Sequence, residues 1–470
     1  MMDTPIAQGD IEASLQRLRR ASLTWRDLGV ERRLAFVGLC AELIARSESE
    51  LTRALVADGG SRLVEKQSGI ASMTPSRLAA YARLMTGVVV DGAGEPLGEI
   101  LHHRPDGVVV LSSPSRAASV GLIPLLEILL VGNGVLLRCS RASAVASFMS
   151  SVLVRAKQAC DLSVDIVELV VAPTRETLGV AVASPHADTI VFYGGTTAGR
   201  SVAELALRHD KKVFLELEAV DSILVWRDAD LDAAVQSALG GFDYSGMPCI
   251  SPRRIFCHPD VYDRVLDALS TLAPSRGEPV REGSGYAVPI DRAARQRLLE
   301  RYATYTTLVH GGAGFDADGA DYLEPTIVAC DLSSLSSEWP TWFDVEQLGP
   351  VLTLIRCDGA SPIDGVCEIL ERTAFQNRVS VWTEDDDVRA KVLRGTARTG
   401  SVSFGVAHTS NPIFGGFSGG KRRTGGADGE TALFWRKTSM LQTLRCAGSH
   451  DRVLAALGAS HLHHTIEVSS

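Results

Sequence analysis

From Gly107 to Glu216 the chain alternates short apolar runs with helical stretches, and this pattern limits its fold more than any other feature. Val108-Val109-Val110-Leu111 and Gly134-Val135-Leu136-Leu137-Arg138 read as strands without a polar face. Helical spacing follows each of them, over 124–131 and 142–157. The segments 164–171, 178–183 and 188–193 continue the alternation. A strand that is apolar on both sides must be covered on both, as in a parallel sheet wound with crossover helices. A second alternating segment starts near Glu218. It has helices over 231–239, 261–272, 361–372 and 387–396, and strands over 254–258, 351–355, 379–382 and 401–404. Residues 273–330 between them read as loop-rich. Upstream, 9–56 reads as two amphipathic helices and 75–85 as a third, followed by a polar two-stranded excursion over 92–104.

A chain of 470 residues is too long for one core, so two or three domains are expected. The formal net charge of −9 argues against nucleic acid or an anionic membrane as a partner. The most apolar run, 120–137, is broken by Pro124, Glu127, Gly132 and Asn133 and is too short to span a bilayer. Residues 1–10 show no basic region leading into an apolar one, so no secretory signal is expected. Nine scattered cysteines with no CxxC pair suggest a reduced, cytoplasmic protein with neither disulfides nor a metal site. The histidine-bearing tail beyond Cys446 reads as surface or partly disordered.

Two features carry chemistry. Tyr244-Ser245-Gly246-Met247-Pro248-Cys249 sets a cysteine on a Gly/Pro-bearing turn, placed for use as a nucleophile. Glu216, in the strand-like Phe214-Leu215-Glu216-Leu217, is a candidate general base. A thiolate that attacks a carbonyl and a base that activates water are what a thiol-based aldehyde oxidation needs. Phe192-Tyr193-Gly194-Gly195-Thr196-Thr197-Ala198-Gly199 lies where a strand gives way to a helix. Glycines there let backbone approach a pyrophosphate, and the helix N-terminus supplies N–H donors; the same turn also serves as a purely structural connection.

With these residues the chain resembles the aldehyde dehydrogenase superfamily, in order and over most of its length. Leu215-Glu216-Leu217 is similar to the family's base strand, and Asp228-Ala229-Asp230-Leu231-Asp232 to the helix start after it. Gly246-Met247-Pro248-Cys249, with Arg254 beyond, resembles its nucleophile loop. Tyr322-Leu323-Glu324-Pro325-Thr326, Glu346-Gln347-Leu348-Gly349-Pro350-Val351 and Pro412-Ile413-Phe414-Gly415-Gly416 resemble further signatures. The Gly425-Gly426 continuation is faintly similar to the pyrroline-carboxylate branch.

The resemblance implies an α/β fold: a Rossmann-type cofactor domain, an α/β catalytic domain and a small β oligomerisation element. The expected cofactor domain is 1–90 with 107–217, the catalytic domain 218–425, the oligomerisation element 91–106 with 430–446, and the tail 447–470. It implies oxidation of a small-molecule aldehyde or semialdehyde to the acid, with Cys249 as nucleophile and Glu216 as base. NAD or NADP would be held by Ser113, Arg138, Ser140, Arg141, Gly194, Gly195, Thr196, Gly199, Leu217, Glu346 and Leu348. A homodimer or homotetramer is expected, since an isolated hairpin is marginal in water.

The departures from the family pattern define the open questions. Arg116 or Ser115 stands where the family has an oxyanion-stabilising asparagine, so Arg116 is a candidate catalytic residue or a substrate-carboxylate ligand. Glu218 and Ala219 replace glycines after the base strand, and Met247 replaces a glutamine beside the nucleophile. Leu348 stands at a usual aromatic position. Arg138 and Arg141 replace a lysine and an acid, which gives a slight lean to NADP, because arginine pairs with a 2′-phosphate. A cation such as Arg116, or local dipoles, would lower the Cys249 pKa. Arg116 and Arg254 would admit an acidic semialdehyde, but Arg254 matches a position that is commonly structural in the family, and Phe242, Tyr244, Phe404 and His408 could equally line an aromatic or aliphatic pocket. A coenzyme A-acylating enzyme and a non-redox protein on the same scaffold are the alternatives; Glu216 counts against the first, and the altered segments motivate the second.

Overall fold

The computed structural model describes residues 8–58, 73–113, 124–139, 142–279, 285–336, 343, 345–410, 420, 424–425, 433–447 and 450–468. Three sheets organise them. The first is parallel throughout, with strands β3 (Val108–Ser112), β4 (Gly134–Cys139), β5 (Val167–Val171), β6 (Thr189–Tyr193) and β7 (Lys212–Glu216), in the order β5-β4-β3-β6-β7. Its strands are apolar on both faces for the reason read from the sequence. Val109, Leu111, Val135, Leu137 and Val191 pack into one core, whereas Val108, Val110, Leu136, Ile190 and Phe192 pack into another. Period-two alternation sends successive side chains to opposite faces, so each face needs its own cover. β3, the first strand in sequence, sits at the centre. The chain runs outward through β4 and β5, then returns to the other side of β3 for β6 and β7. Strand order therefore reverses between β3 and β6, and a crevice opens at such a point beyond the carboxyl ends of the strands.

The second sheet has seven strands in the order β10-β13-β14-β9-β8-β15-β16. They are β8 (Asp221–Val225), β9 (Pro252–Cys257), β10 (Thr307–His310), β13 (Thr326–Asp331), β14 (Val351–Arg356), β15 (Arg378–Trp382) and β16 (Ser401–Phe404). Only the β10–β13 pair is antiparallel. Two cores again divide the alternating residues, Ile223, Val225, Ile255 and Leu352 on one face against Leu224, Phe256, Ile355 and Val381 on the other. The expectation of a loop-rich 273–330 is corrected. This segment holds a helix, Arg292–Ala303, the strands β10 and β13, and a hairpin of β11 (Gly314–Ala317) and β12 (Ala320–Leu323). Strands of four to six residues among glycines gave too little periodicity to be read.

The third sheet has the order β17-β2-β1-β18 and combines β1 (Thr86–Val90), β2 (Pro96–Pro105), β17 (Ser439–Arg445) and β18 (His464–Glu467). Here the tail departs from expectation. A helix, His450–Leu457, packs Leu454 with Val88, Val90 and Ile100, and β18 pairs parallel with β1. The N-terminal region likewise forms three helices rather than two, Gln8–Asp27, Gly29–Arg46 and Glu48–Ala57. Among the described residues no helix is long and apolar enough to cross a membrane.

Candidate active site

Cys249 lies at the end of an unusual loop. Tyr244 (φ 56°), Ser245 (φ 49°) and Gly246 (φ 62°) are consecutive left-handed residues, a conformation that costs energy in side chains bearing a Cβ. The surroundings hold it in place. The Ser245 hydroxyl donates to the Val288 carbonyl (2.9 Å) and accepts from the Val288 N–H (3.0 Å). A Cβ on Gly246 would stand 2.2 Å from the Gly349 carbonyl oxygen and 2.5 Å from Arg253 Nη1, so only glycine fits. The 244–249 loop is thereby packed directly against the 345–350 segment.

Arg253 ties the two loops together. Its guanidinium is buried and donates to the Pro248 carbonyl (3.3 Å) and the Gly349 carbonyl (3.4 Å). Its Nη2 lies 3.8 Å from Glu346 Oε1. Burial pushes the Glu346 carboxyl up to about 7, Arg253 opposes this, and the charge of Glu218 adds to it. Leu348, beside Glu346 in sequence, is 45% exposed.

Glu216 is buried at the end of β7, which is bonded to β6 with Tyr193 opposite Glu216. Cys249 is half-buried. Its thiol is pushed up to about 12, first by desolvation, then by the negative charges of Glu346, Glu216 and Asp221, with Arg378 opposing. Among the described residues the shift is thus opposite to the expected lowering: burial leads, and three carboxylates add to it against one arginine. Tyr193 belongs to the same cluster: burial raises its phenol well above the ordinary value, and Glu216 and Cys249 add to the shift. Asp221 and Arg378 are fixed from behind. Asp221 Oδ1 accepts the N–H groups of Asn377 and Arg378, both at 2.8 Å. Arg378 Nη1 donates to the carbonyls of His408 (3.2 Å) and Ser410 (3.0 Å). Tyr193, Asp221, Arg253 and Arg378 were not singled out from the sequence; only the folded chain brings them together.

Arg254 does not face a substrate. It is buried and donates to the Val220 carbonyl (3.0 Å) and the Ser222 hydroxyl (3.2 Å). Of the two readings left open for Arg254, these bonds favour the structural one over a ligand for an acidic semialdehyde.

The residues expected to contact a cofactor gather at the carboxyl edge of the first sheet. Ser113 is buried just after β3, and its N–H donates to the Arg138 carbonyl (2.9 Å). Arg138, near the end of β4, is buried; Nε donates to the Ala172 carbonyl (2.9 Å) and Nη1 to the Ser112 hydroxyl (3.3 Å). Among the described residues its Nη2 has no partner, nor has the buried Thr196 Oγ1. Gly195 caps the helix Thr196–Arg208 without a side-chain bond, and open space lies where its Cβ would be. At Gly199 a Cβ would meet Leu217 Cδ2 at 2.4 Å, so this glycine lets the helix pack closely on the base segment. An orphaned guanidinium nitrogen, an orphaned hydroxyl and an open helix N-terminus at the strand-order reversal fit a dinucleotide. One contact stands apart: Glu218 Oε2 already accepts the Thr196 N–H at 3.0 Å. Arg116, Ser140, Arg141 and the 412–416 motif lie outside the described residues.

Comparison with known proteins places this geometry. The model of the aldehyde dehydrogenase family matches residues 5–439. Geranial dehydrogenase of Castellaniella defragrans is 28% identical over 424 residues, 87% of this chain and 85% of its own. 1-Pyrroline-5-carboxylate dehydrogenase 1 of Halalkalibacterium halodurans is 27% identical, over 89% and 82%. Among solved structures, glyceraldehyde-3-phosphate dehydrogenase GapN of Methanocaldococcus jannaschii, complexed with NADP, gives a TM-score of 0.76 at 18% identity, covering 95% of this chain and 96% of its own. 1-Pyrroline-5-carboxylate dehydrogenase from Thermus, with bound NAD, gives 0.75 at 20%, covering 94% and 86%.

Proposed function

The chain belongs to the aldehyde dehydrogenase family, an NAD(P)-dependent group of oxidoreductases, and from that premise we propose that it oxidises an aldehyde or semialdehyde to the acid through Cys249 and Glu216. The carrying observation is the coupling of the Cys249 thiol to the buried Glu216 carboxylate, each delivered by its own sheet and loop. In this reading Cys249 Sγ attacks the aldehyde carbon. Its thiol is raised, so the proton must be taken as the bond forms; Glu216 would take it and pass it to solvent before the second half of the reaction. Bound NAD(P) supplies acceptance of one hydride, which leaves a thioester on Cys249. Glu216 then takes a proton from water as the water attacks that thioester, and the acid leaves. Glu346 and Leu348, held beside the nucleophile loop through Arg253 and Gly349, would line the nicotinamide ribose. Ser113, Arg138, Ser140, Arg141, the Gly194–Gly199 turn and Leu217 would hold the rest of the cofactor, and Arg116 would stabilise the oxyanion or bind a substrate carboxylate.

The domain division read from the sequence is part of the proposal, with the refinement that β1 and β18 join the oligomerisation sheet. Assembly as a homodimer or homotetramer is supported by Leu97, Met440 and Leu441, exposed on β2 and β17. A cytoplasmic location is supported by the nine cysteines, all free.

The test is absorbance at 340 nm with a panel of aldehydes and NAD or NADP, with and without coenzyme A. Wild type is expected to reduce cofactor without coenzyme A, and Cys249→Ala to abolish this. Glu216→Gln is expected to slow turnover roughly 10²–10⁴-fold, the range for loss of a general base. Reduction that survives Cys249→Ala refutes the mechanism.

A further inference from the structure

The helix Thr196–Arg208 begins with N–H groups that no intrahelical carbonyl can satisfy, and its end carries about half a positive charge. Anions settle there. In this chain one already has. Glu218 lies two residues beyond Glu216, and its Oε2 accepts the Thr196 N–H at 3.0 Å. The neighbouring packing delivers it. Leu217 is buried against Gly199 in the first turn of the helix, and its N–H is held by the Thr424 carbonyl at 2.9 Å. A side chain on residue 218 is therefore carried to the helix end by an anchored neighbour. Two further observations mark the place as a ligand's. Thr196, only 8% exposed, keeps an Oγ1 with no partner, although its own N–H is engaged. Arg138 keeps an unpartnered Nη2 at the end of β4, across β3 from this turn.

We propose that Glu218 is an internal stand-in for the cofactor's pyrophosphate: its carboxylate closes the helix N-terminus in the cofactor-free chain and must swing away before the dinucleotide binds, so that this residue sets cofactor affinity. The idea rests on the cofactor reading above. Two anions cannot share the same N–H donors, and the Glu218 charge already reaches Glu346 on the far side. Binding of NAD(P) thus includes the loss of the Glu218–Thr196 bond. The penalty is the same for NAD and NADP, because the pyrophosphate is common to both.

Calorimetric titration of NAD and of NADP into the full-length protein tests this, on wild type, Glu218→Gly, Glu218→Gln and Glu204→Gln. Glu204 is exposed on the same helix and controls for loss of a carboxylate in general. Thermal melts of each variant identify any that fails to fold; should glycine do so, glutamine, which keeps the volume, is decisive. Dissociation constants are expected to fall at least tenfold in both Glu218 variants, by equal factors for the two cofactors, with Glu204→Gln unchanged. Hydrogen exchange at the Thr196 amide of the cofactor-free protein is expected to quicken in Glu218→Gly. Equal affinities for wild type and variants overturn the proposal and leave the proposed function standing. Weaker binding in the variants also overturns it, making Glu218 a cofactor contact. A gain confined to NADP overturns the pyrophosphate assignment. If no protein binds either cofactor, the proposed function fails and this inference with it.

Discussion

Replacing Gly246 by alanine isolates the coupling between the nucleophile loop and the 345–350 segment. Residue 246 has φ +62°, and an alanine there enters the left-handed region at about 1–2 kcal/mol. The added Cβ stands 2.2 Å from the Gly349 carbonyl, 2.5 Å from Arg253 Nη1 and 3.0 Å from the Gly241 carbonyl. Arg253 could swing away, but two of these atoms are backbone, so the loops must part by about an ångström to reach ordinary contact. Overpacking of that kind costs about 1–3 kcal/mol. The sum, about 2–5 kcal/mol, corresponds to a melting-point drop of roughly 5–15 °C for a unit of domain size. Parting the loops also moves Glu346, which Arg253 holds at 3.8 Å, away from Cys249. An ångström of misplacement costs about 10²-fold in rate. Circular-dichroism melts and cofactor reduction measure the two effects. A melting point within a degree of wild type, with an unchanged rate, would show that the loop yields without strain and that the packing argument is wrong.

The raised Cys249 thiol predicts that alkylation of the Cys249 peptide by iodoacetamide, followed by mass spectrometry, keeps quickening well above pH 8.5, the ordinary thiol value. A plateau below that pH refutes the carboxylate field around it. Glu127, buried and accepting the Phe434 N–H at 2.8 Å, is pushed up to about 7 by burial. Because its folded value exceeds the ordinary carboxyl value of 4.5, the stability it contributes is present below that pH and lost as pH rises toward 7. Glu127→Gln should flatten the fall of urea stability with rising pH across this window; an unchanged slope counts against it. The solution mass, by light scattering, should be that of a dimer or tetramer, and a monomeric mass refutes the reading of β2 and β17 as an assembly surface.

The parallel first sheet was legible because both of its faces are buried, which leaves continuous apolar runs such as Val108–Leu111. The small strands β10 to β13 were not, since four-residue segments next to glycine and aspartate look like turns. The tail misled for a related reason: β18 is polar on its exposed side, and only its register against β1, Gly87 opposite His464, makes it a strand. At the site, sequence order could place Cys249 on a glycine-bearing turn and Glu216 on a strand. It could not place Tyr193, Asp221, Arg253 and Arg378 around them, because those contacts join strands and loops distant in sequence.

That blind spot matters for the chemistry. Read along the chain, local dipoles or a cation such as Arg116 would lower the Cys249 pKa. In the fold, Arg254 turns to the Val220 carbonyl and Arg253 to Gly349 and Glu346, so neither charge offsets the carboxylates. A thiol in such a field is stored in its protonated form, which guards it against alkylation and oxidation between turnovers. Reactivity then depends on what neutralises the carboxylates, and a bound substrate or cofactor that displaces or pairs with one of them would do so. Glu218, whose charge raises Glu346, holds at the helix N-terminus a backbone N–H that a phosphate could take instead.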